Sequence, residues 1–286
     1  DAQRGELKKV VGPIAKRAAA SFLIERFSAS QRRSARLLDQ NRSTVYYKPR
    51  PFKDEQLSTR MKSLCSKHRR FGLPRIYHFL KEEGAVRSKS RAERIYRSLN
   101  LQIKKRKRQK LAPAVRVPFE KAKAPNEIWS FDFMYDYVDS KKTLKILTIV
   151  DDCSKKCPGL LPDYSIPASK MIAFFESLPE LPSRLRCDNG PEMTSIDFLA
   201  WAHRRGISID YIDPGKPNQN AYIESFNSRL RDEHLTEEVF LDLEDAKKKI
   251  EKWRKEYNQI RPHSALGMKT PNQFEEEFRK NLTRED

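Results

Sequence analysis

The sequence has no long apolar run, few cysteines and few histidines. No stretch approaches the roughly 18 apolar residues needed to cross a membrane, and the first residues, DAQRGELKKVVGP, lack the apolar core of a signal peptide. The four cysteines and five histidines show no paired spacing typical of zinc sites. These absences favour a cytoplasmic protein with reduced thiols over a membrane, secreted or zinc protein. An initial Met is also missing, which suggests a processed chain or an excised fragment.

Acidic residues are scarce in the first part of the chain. Residues 1–116 carry 32 Lys and Arg against 9 Asp and Glu, whereas residues 117–286 carry 26 against 30. The whole excess behind the net charge of +19 therefore lies in the first part. Such an asymmetry indicates a polyanionic partner, above all nucleic acid. Disorder is the alternative, but apolar residues at helical spacing within the basic part favour folded modules.

Residues 13–47 predict three short helices. The first has an apolar face at helical spacing, formed by Ile14, Ala18, Phe22 and Phe27. Ser30 is placed as the N-cap of the second helix. Two short helices joined by a tight turn resemble a helix-turn-helix unit, whose second helix faces DNA. The residues that would then face DNA are Arg42, Ser43, Thr44 and Tyr47. A three-helix unit with no role in DNA binding fits the spacing equally well.

Residues 54–100 predict a second helical module. Its apolar stripes are Leu57, Met61, Leu64, Ile76 and Leu80. Gly84 marks the end of one helix, and Ser88 or Ser90 caps the next.

A run of positive charge, KKRKRQK, follows this second module. Its members include Lys104, Lys105, Arg106, Lys107 and Arg108. A solvated charge run is the usual interpretation, but the adjoining candidate recognition helix favours an arm that binds DNA phosphates. Residues 111–125, with three prolines, predict a linker.

The pattern changes after residue 126. EIWSFDFMYDYV is alternating and rich in aromatic residues, TLKILTIVDD is a β-branched run, and KCPGLLPDY is a weaker third strand. Helix, strand, helix, strand and helix follow. This order predicts an α/β, ribonuclease-H-like core, in which a mixed five-stranded sheet has helices on both faces, preceded by all-α helix-turn-helix-type modules. The predicted segments are 1–51 and 52–110 for the two DNA-binding modules, 111–125 for the linker, 126–235 for the catalytic core and 236–286 for a helical extension.

Three acidic residues are placed to meet in such a sheet. Asp132 lies mid-strand among aromatic residues, where a buried carboxylate is costly unless it has a role. Asp188 opens an Asp-Asn-Gly-Pro turn after the fourth strand, and Asn and Gly tolerate left-handed backbone. Glu224 lies at the edge of the inward stripe of the helix AYIESFNSRLRDEHL, with Asn227 and Arg231 on the same face. Converging carboxylates of this kind are what two-metal phosphodiester chemistry needs.

Other acids compete for a role at this site. Asp151 and Asp152 end the second strand, where a carboxylate before a turn is usually solvated, so a metal-ligand role is the less favoured interpretation. Glu192 is interpreted as a local cap or a hydrogen-bond partner near the site.

Longer strings resemble one protein family. DNGPE, PGKPNQNAYIESFNSRLRDE and YNQIRPHSALGMKTPNQF are similar to the bacterial insertion-sequence transposases of the IS-three family. The spacing of Asp132, Asp188 and Glu224 resembles the DDE signature of retroviral integrases and related transposases. HRRFGLPRI and RRSARLLDQNRSTVYY resemble the two DNA-binding modules of the IS-three family. The resemblance extends from about residue 14 to 278, and Met193 stands where that family has Phe.

The resemblance implies a function and its parts. Asp132, Asp188 and Glu224 are the implied catalytic residues and would hold two Mg²⁺ ions, or Mn²⁺ in their place. The implied activity is transposition, in which terminal inverted repeats are bound, cleaved and transferred by at least a dimer. The remaining implied DNA contacts are Arg69, Arg70, Arg75, Asn189, Lys216, Gln219, Asn227 and Arg231.

Two rival interpretations stay open from the sequence. One is a non-catalytic DNA-binding remnant or regulator, and the other is a plain nuclease of the same fold. The family's full-length protein also has an upstream helix-turn-helix and zipper. No heptad precedes residue 13, so we expect either the second-frame product alone or a trimmed fusion.

Overall fold

The computed structural model describes residues 12–45, 47, 54–103, 121–212 and 220–285. The chain divides into two compact units, residues 1–56 and 57–286, and each is described by itself. Within these described ranges no helix is both long and apolar enough to span a bilayer. The finer division into five segments stays a prediction. Several residues predicted to bind DNA lie outside the described residues: Lys104, Lys105, Arg106, Lys107, Arg108, Lys216 and Gln219.

The first unit contains three helices. They are α1 (Pro13–Phe27), α2 (Gln31–Leu37) and α3 (Arg42–Val45). The Ser30 side chain accepts a hydrogen bond from the backbone N–H of Arg33 at 3.3 Å, so the predicted N-cap of α2 is confirmed. The third helix is a single turn.

The apolar residues predicted at helical spacing along α1 do not form its buried face. Ile14 and Phe27 are 76% and 66% exposed, whereas Ala19 and Ala20 are buried. α1 contacts α2 and α3, and the side chains buried on α1 are these small ones. Helical spacing defines a stripe of apolar residues, but the neighbouring helices decide which side of α1 is covered.

The second unit begins with three helices whose apolar stripes are buried as predicted. They are α4 (Glu55–Lys67), α5 (Leu73–Glu82) and α6 (Lys89–Ser98). The predicted stripe residues are all buried: Leu57, Met61, Leu64, Ile76 and Leu80. Gly84 has a φ of 70° after α5, and the Ser88 side chain caps α6 by accepting from the Arg91 N–H.

A mixed five-stranded sheet forms the centre of the second unit, as predicted. Its strands are β1 (Ile128–Tyr137), β2 (Thr143–Asp151), β3 (Leu160–Asp163), β4 (Arg184–Cys187) and β5 (Ser208–Tyr211). The spatial order is β3-β2-β1-β4-β5. The first three strands pair antiparallel, whereas β1 with β4 and β4 with β5 pair parallel. The long β1 is therefore the central strand.

Helices cover both faces of the sheet. One face packs against α7 (Ala168–Glu176) and α8 (Ile196–Arg204), and the other against α9 (Ala221–Leu230) and α10 (Leu243–Gln259). Side chains of β1 alternate between these faces: Phe131 belongs to the first core and Met134 to the second. Asp132 consequently lies on the same face as α9. The chain closes with α11 (Pro271–Glu285), which contacts α10.

Candidate active site

Asp132 lies in the middle of β1 and is held on two sides. It pairs across the sheet with Thr148 of β2 and is partly buried. Its Oδ1 accepts a hydrogen bond from the Phe133 N–H at 2.7 Å, and its Oδ2 accepts one from Asn227 Nδ2 at 3.0 Å. The carboxylate thus has a defined orientation toward α9.

Asp188 directly follows β4, the parallel neighbour of β1. Ser130 pairs with Arg186 in the parallel register, so Asp132 and Asp188 each lie two positions farther along neighbouring strands. The Gly190 N–H donates to Asp188 Oδ1 at 3.0 Å, and Asn189 Nδ2 donates to the Ile212 carbonyl at 3.1 Å. The turn therefore presents Asp188 at the end of the strand.

Gly190 is needed in this turn for a different reason from the predicted one. Neither Asn189 nor Gly190 has a positive φ, so left-handed backbone is not used. A Cβ atom at position 190 would instead lie 3.1 Å from Asp188 Oδ1. The missing side chain leaves room for the hydrogen bond that orients the carboxylate.

Glu224 is an exposed residue on α9, and its charge reaches Asp132. Burial, together with the negative charges of Asp188 and Glu224, raises the pKa of Asp132 to about 6, against the opposing hydrogen bonds from Phe133 and Asn227. The fold thus brings the three predicted carboxylates into mutual electrostatic range. In the described part of the chain, no three Asp, Glu, His or Cys side chains lie close enough to hold one metal ion together.

Thr148 is a member of the site that sequence reasoning missed. Its hydroxyl is buried, donates to Asn227 Oδ1 at 2.8 Å and also contacts the Asp132 carbonyl at 3.1 Å. Asn227, predicted to contact DNA, instead links Thr148 to the Asp132 carboxylate in this structure. The only sequence signal for Thr148 was its place on the strand beside Asp132, which needs the register to be known.

The competing acids Asp151 and Asp152 are buried, so the expectation that they are solvated is wrong. Asp152 forms a 2.7 Å ion pair with the fully buried Arg186 and accepts a 2.7 Å hydrogen bond from the Ser130 hydroxyl. Asp151 accepts hydrogen bonds from backbone N–H groups, among them that of Cys153 at 2.9 Å. Partners from β1 and β4 satisfy Asp152, whereas backbone N–H groups of Asn126 and of the turn after β2 satisfy Asp151. Chain position alone reveals neither set of partners.

Glu192 is a local hydrogen-bond partner near the site, as expected. It forms an ion pair with Lys145, and its backbone carbonyl accepts from the Ser195 hydroxyl at 2.9 Å. The Lys145 ammonium also lies 3.8 Å from the centre of the Phe133 ring. The Glu192 carboxylate is therefore held by an ion pair with β2.

The residues predicted to bind DNA fall into two groups. The first group is exposed except for the half-buried Thr44; its exposed members are Arg42, Ser43, Tyr47 and Arg69. The Arg17 guanidinium lies 5.5 Å from the centre of the Tyr47 ring. The other group makes contacts within the second unit: Arg70 with Glu237 at 3.2 Å, Arg75 with the Pro262 carbonyl at 3.0 Å, and Arg231 with the Tyr135 carbonyl at 2.8 Å.

Known protein families match these parts of the chain. An integrase core domain family matches residues 122–217, a second integrase core domain family matches residues 205–271, and an HTH-like domain family matches residues 52–109. An uncharacterized 39.2 kDa protein of insertion element IS476 from Xanthomonas euvesicatoria is 36% identical over 275 residues, which cover 95% of this chain and 80% of that protein. The chain belongs to the integrase-core proteins of insertion elements.

Two further relatives of this integrase-core protein have similar extent. An uncharacterized 31.7 kDa protein of insertion element IS407 from Burkholderia multivorans is 36% identical over 258 residues, covering 89% of this chain and 93% of that protein. A transposase for insertion sequence element IS904 from Lactococcus lactis is 27% identical over 239 residues, which cover 77% of this chain and 94% of that protein. Membership places this integrase-core protein in the polynucleotidyl transferase superfamily. Its transposase/integrase family acts in DNA transposition, binds DNA and assembles as oligomers.

The chemistry of the site fits a divalent metal ion. Mg²⁺ prefers oxygen ligands, and the site offers three carboxylates with no cationic side chain hydrogen-bonded to Asp132 among the described residues. Burial and the repulsion from Asp188 and Glu224 both raise the pKa of Asp132, and a divalent cation would relieve that repulsion. Two of the carboxylates, those of Asp188 and Glu224, are exposed and free of ion pairs within the described ranges.

Proposed function

We propose that this integrase-core protein is a Mg²⁺-dependent transposase that binds the terminal inverted repeats of its element, cleaves them and joins them to DNA. The observation that best supports this is the unbalanced negative charge around Asp132, to which Asp188 and Glu224 both contribute. An acidic site without a structural counter-charge is typical of a site built for a metal ion.

The three carboxylates would hold the metal ions in the proposed mechanism, and neighbouring groups orient two of them. Two bound Mg²⁺ ions would supply an activated water or DNA 3′-hydroxyl and stabilise the departing 3′ oxygen. Asp132 is oriented by Asn227 and by the Phe133 N–H, and Asp188 by the Gly190 N–H. Glu224, exposed on α9, would complete the set. Asp132 must be ionised to act as a ligand, so we expect the Mg²⁺ concentration needed for activity to rise as the pH falls toward about 6.

The helices before the core are proposed to bind the transposon ends. The HTH-like match covers α4 to α6, and Arg69 is an exposed cation between α4 and α5. The large excess of Lys and Arg over residues 1–116 suits contacts to DNA phosphates. We therefore expect affinity for the ends to fall steeply as the salt concentration rises.

The decisive experiment compares the parent protein with Glu224→Gln on DNA that carries the ends, in the presence of Mg²⁺. This substitution removes the charge of one carboxylate on an exposed helix surface and keeps its shape. We expect the parent to yield joined products and the variant to lose them while its DNA affinity is kept. Glu244→Gln is the matched control, because Glu244 is an exposed glutamate on α10 paired only with Lys247 among the described residues.

The same assay separates the two rival functions. Nicked but unjoined DNA from the parent would support a plain nuclease, and binding without nicks would support a regulator. If Glu224→Gln joins ends as well as the parent, the proposed catalytic site is wrong.

A further inference from the structure

A second unbalanced charge cluster lies on the other side of α9. A cavity of about 270 Å³ opens between α5, α9 and the segment that follows α10. This volume is far above the roughly 10–15 Å³ that one water molecule requires. Its cationic and imidazole side chains are Arg75, Lys155, Arg229, Arg261 and His263, and these five residues define the basic cavity.

The positive charge of the basic cavity is only partly neutralised. Glu233 forms an ion pair with Arg261, and no other carboxylate in the described ranges pairs with a cation of the cavity. Arg75 and Arg229 instead donate to backbone carbonyls, Arg75 to Pro262 at 3.0 Å and Arg229 to Ser225 at 3.0 Å. Like charges held together away from water repel one another unless an anion joins them.

Three buried polar atoms at the basic cavity lack partners. Tyr257, Arg261 and His263 line it and are 2%, 2% and 4% exposed. Tyr257 Oη, Arg261 Nη1 and His263 Nε2 have no hydrogen-bond partner within the described part of the chain. A buried donor left unsatisfied costs about 1–3 kcal/mol, so three such atoms on residues that line one cavity favour a ligand that accepts hydrogen bonds.

Burial lowers the pKa of four members of the basic cavity. Burial and neighbouring cations lower the pKa of Arg75 to about 10, and they lower the pKa of His263 to about 2. Burial also lowers the pKa values of Lys155 and Arg229. The imidazole is therefore neutral and can donate one N–H, and a bound anion would oppose all of these shifts.

We propose that the basic cavity binds a phosphate group, and that this group belongs to the backbone of the DNA on which the enzyme acts. Guanidinium groups suit this ligand because their fork of N–H donors matches phosphate oxygens. The unpartnered atoms of Tyr257, Arg261 and His263 supply further donors. The DNA source rests on the proposed function, whereas the phosphate site itself does not.

The position of the basic cavity links three parts of the second unit. Arg75 comes from the HTH-like helices, Arg229 from the helix that carries Glu224, and Arg261 with His263 from the IRPHSA segment. Glu224 and Arg229 are separated by about 7.5 Å along the axis of α9, at 1.5 Å per residue. A phosphate held here would connect the DNA-binding helices to the helix of the catalytic carboxylate.

The first test measures phosphate binding without DNA. Thermal unfolding of the full chain is followed with inorganic phosphate and with sodium chloride at the same ionic strength. At phosphate concentrations about tenfold above the dissociation constant, we expect the melting temperature of the parent to rise by about 3 °C over the chloride control. Arg229→Gln should lose this rise. Without phosphate this variant should melt no lower than the parent, because it removes one of several repelling cations.

Arg204→Gln is the matched control. Arg204 is an exposed arginine at the end of α8, on the opposite face of the sheet, and this substitution should leave the phosphate response unchanged. No rise in the parent, or an equal rise in Arg229→Gln, would overturn the proposal.

The second test identifies the source of the phosphate. DNA affinity of the same three proteins is measured over a series of salt concentrations. If the ligand is a backbone phosphate, the slope of log K against log salt should be smaller by about 0.9 for Arg229→Gln and unchanged for Arg204→Gln. A phosphate-dependent rise in melting temperature with an unchanged slope would support the site and assign it to a free phosphate compound. Neither result depends on strand joining, so failure of the proposed function would be seen separately.

Discussion

Two carboxylates lie along the same face of β1, and only one of them has a counter-charge. Asp152 contacts Ser130 of this strand and has its counter-charge in the fully buried Arg186. Asp132, two positions after Ser130, has hydrogen bonds but no cation, and two further carboxylates act on it. The first arrangement is complete within the protein, whereas the second has no counter-charge among the described residues, which suits the proposed metal site. A balanced buried pair therefore indicates a structural role, and an unbalanced group indicates a binding role.

Removal of the balanced counter-charge should have the largest effect. Arg186→Met leaves Asp152 buried without a partner, so the free energy of unfolding should fall by about 3–5 kcal/mol. Denaturant unfolding measures this change. The double variant Arg186→Met with Asp152→Asn should recover much of the loss. If the single variant loses less than about 1 kcal/mol, the pair is not structurally important and the comparison fails.

Loss of the link between Thr148 and Asp132 should have the next largest effect. Asn227→Ala removes the amide that orients the carboxylate, and loss of such a supporting contact typically weakens metal binding 10–100-fold. We expect the Mg²⁺ concentration for half-maximal joining to rise by that factor, with a smaller change at saturating Mg²⁺. A loss of DNA affinity at an unchanged Mg²⁺ requirement would instead favour the predicted DNA contact of Asn227.

The unbalanced carboxylate should make stability depend on pH. The pKa of Asp132 rises from 3.8 to about 6 on folding, so the folded protein binds this proton more tightly than the unfolded chain. The free energy of unfolding should therefore fall as the pH rises from about 4 to 6 and stay low above that range. In EDTA, Asp132→Asn should melt a few degrees above the parent at pH 7.5 and close to it at pH 4. Equal melting temperatures at both pH values would show that the charge of Asp132 does not destabilise the folded protein.

The smallest effect is expected at Glu192. Its ion pair with Lys145 is partly exposed, and such pairs contribute about 0–1 kcal/mol. Glu192→Gln should therefore keep strand joining within about threefold of the parent at every Mg²⁺ concentration. A large increase in the Mg²⁺ requirement would show that Glu192 belongs to the metal site and that the set of three carboxylates is incomplete.

The residue pattern along single strands allowed part of the site to be predicted, whereas the rest depends on the register between strands. The alternating run around Asp132 and the turn after Asp188 place these residues on strands that a ribonuclease-H-like order makes neighbours. Thr148 could not be found in the same way, because its contact with Asn227 depends on the exact pairing of β1 with β2. The burial of Asp152 depends on Arg186, which is 34 positions away in the chain.

The amino-acid sequence by itself determined the order of strands and helices, the buried stripes of α4 and α5 and the three carboxylates, because periodicity and turn chemistry are local properties. Only the tertiary structure decided which side of α1 is buried, which acids are neutralised and where unpaired cations gather. Those outcomes depend on charges and surfaces brought together from distant parts of the chain. The basic cavity is the clearest case, since Arg75, Lys155, Arg229 and His263 share no motif and meet only in the folded protein.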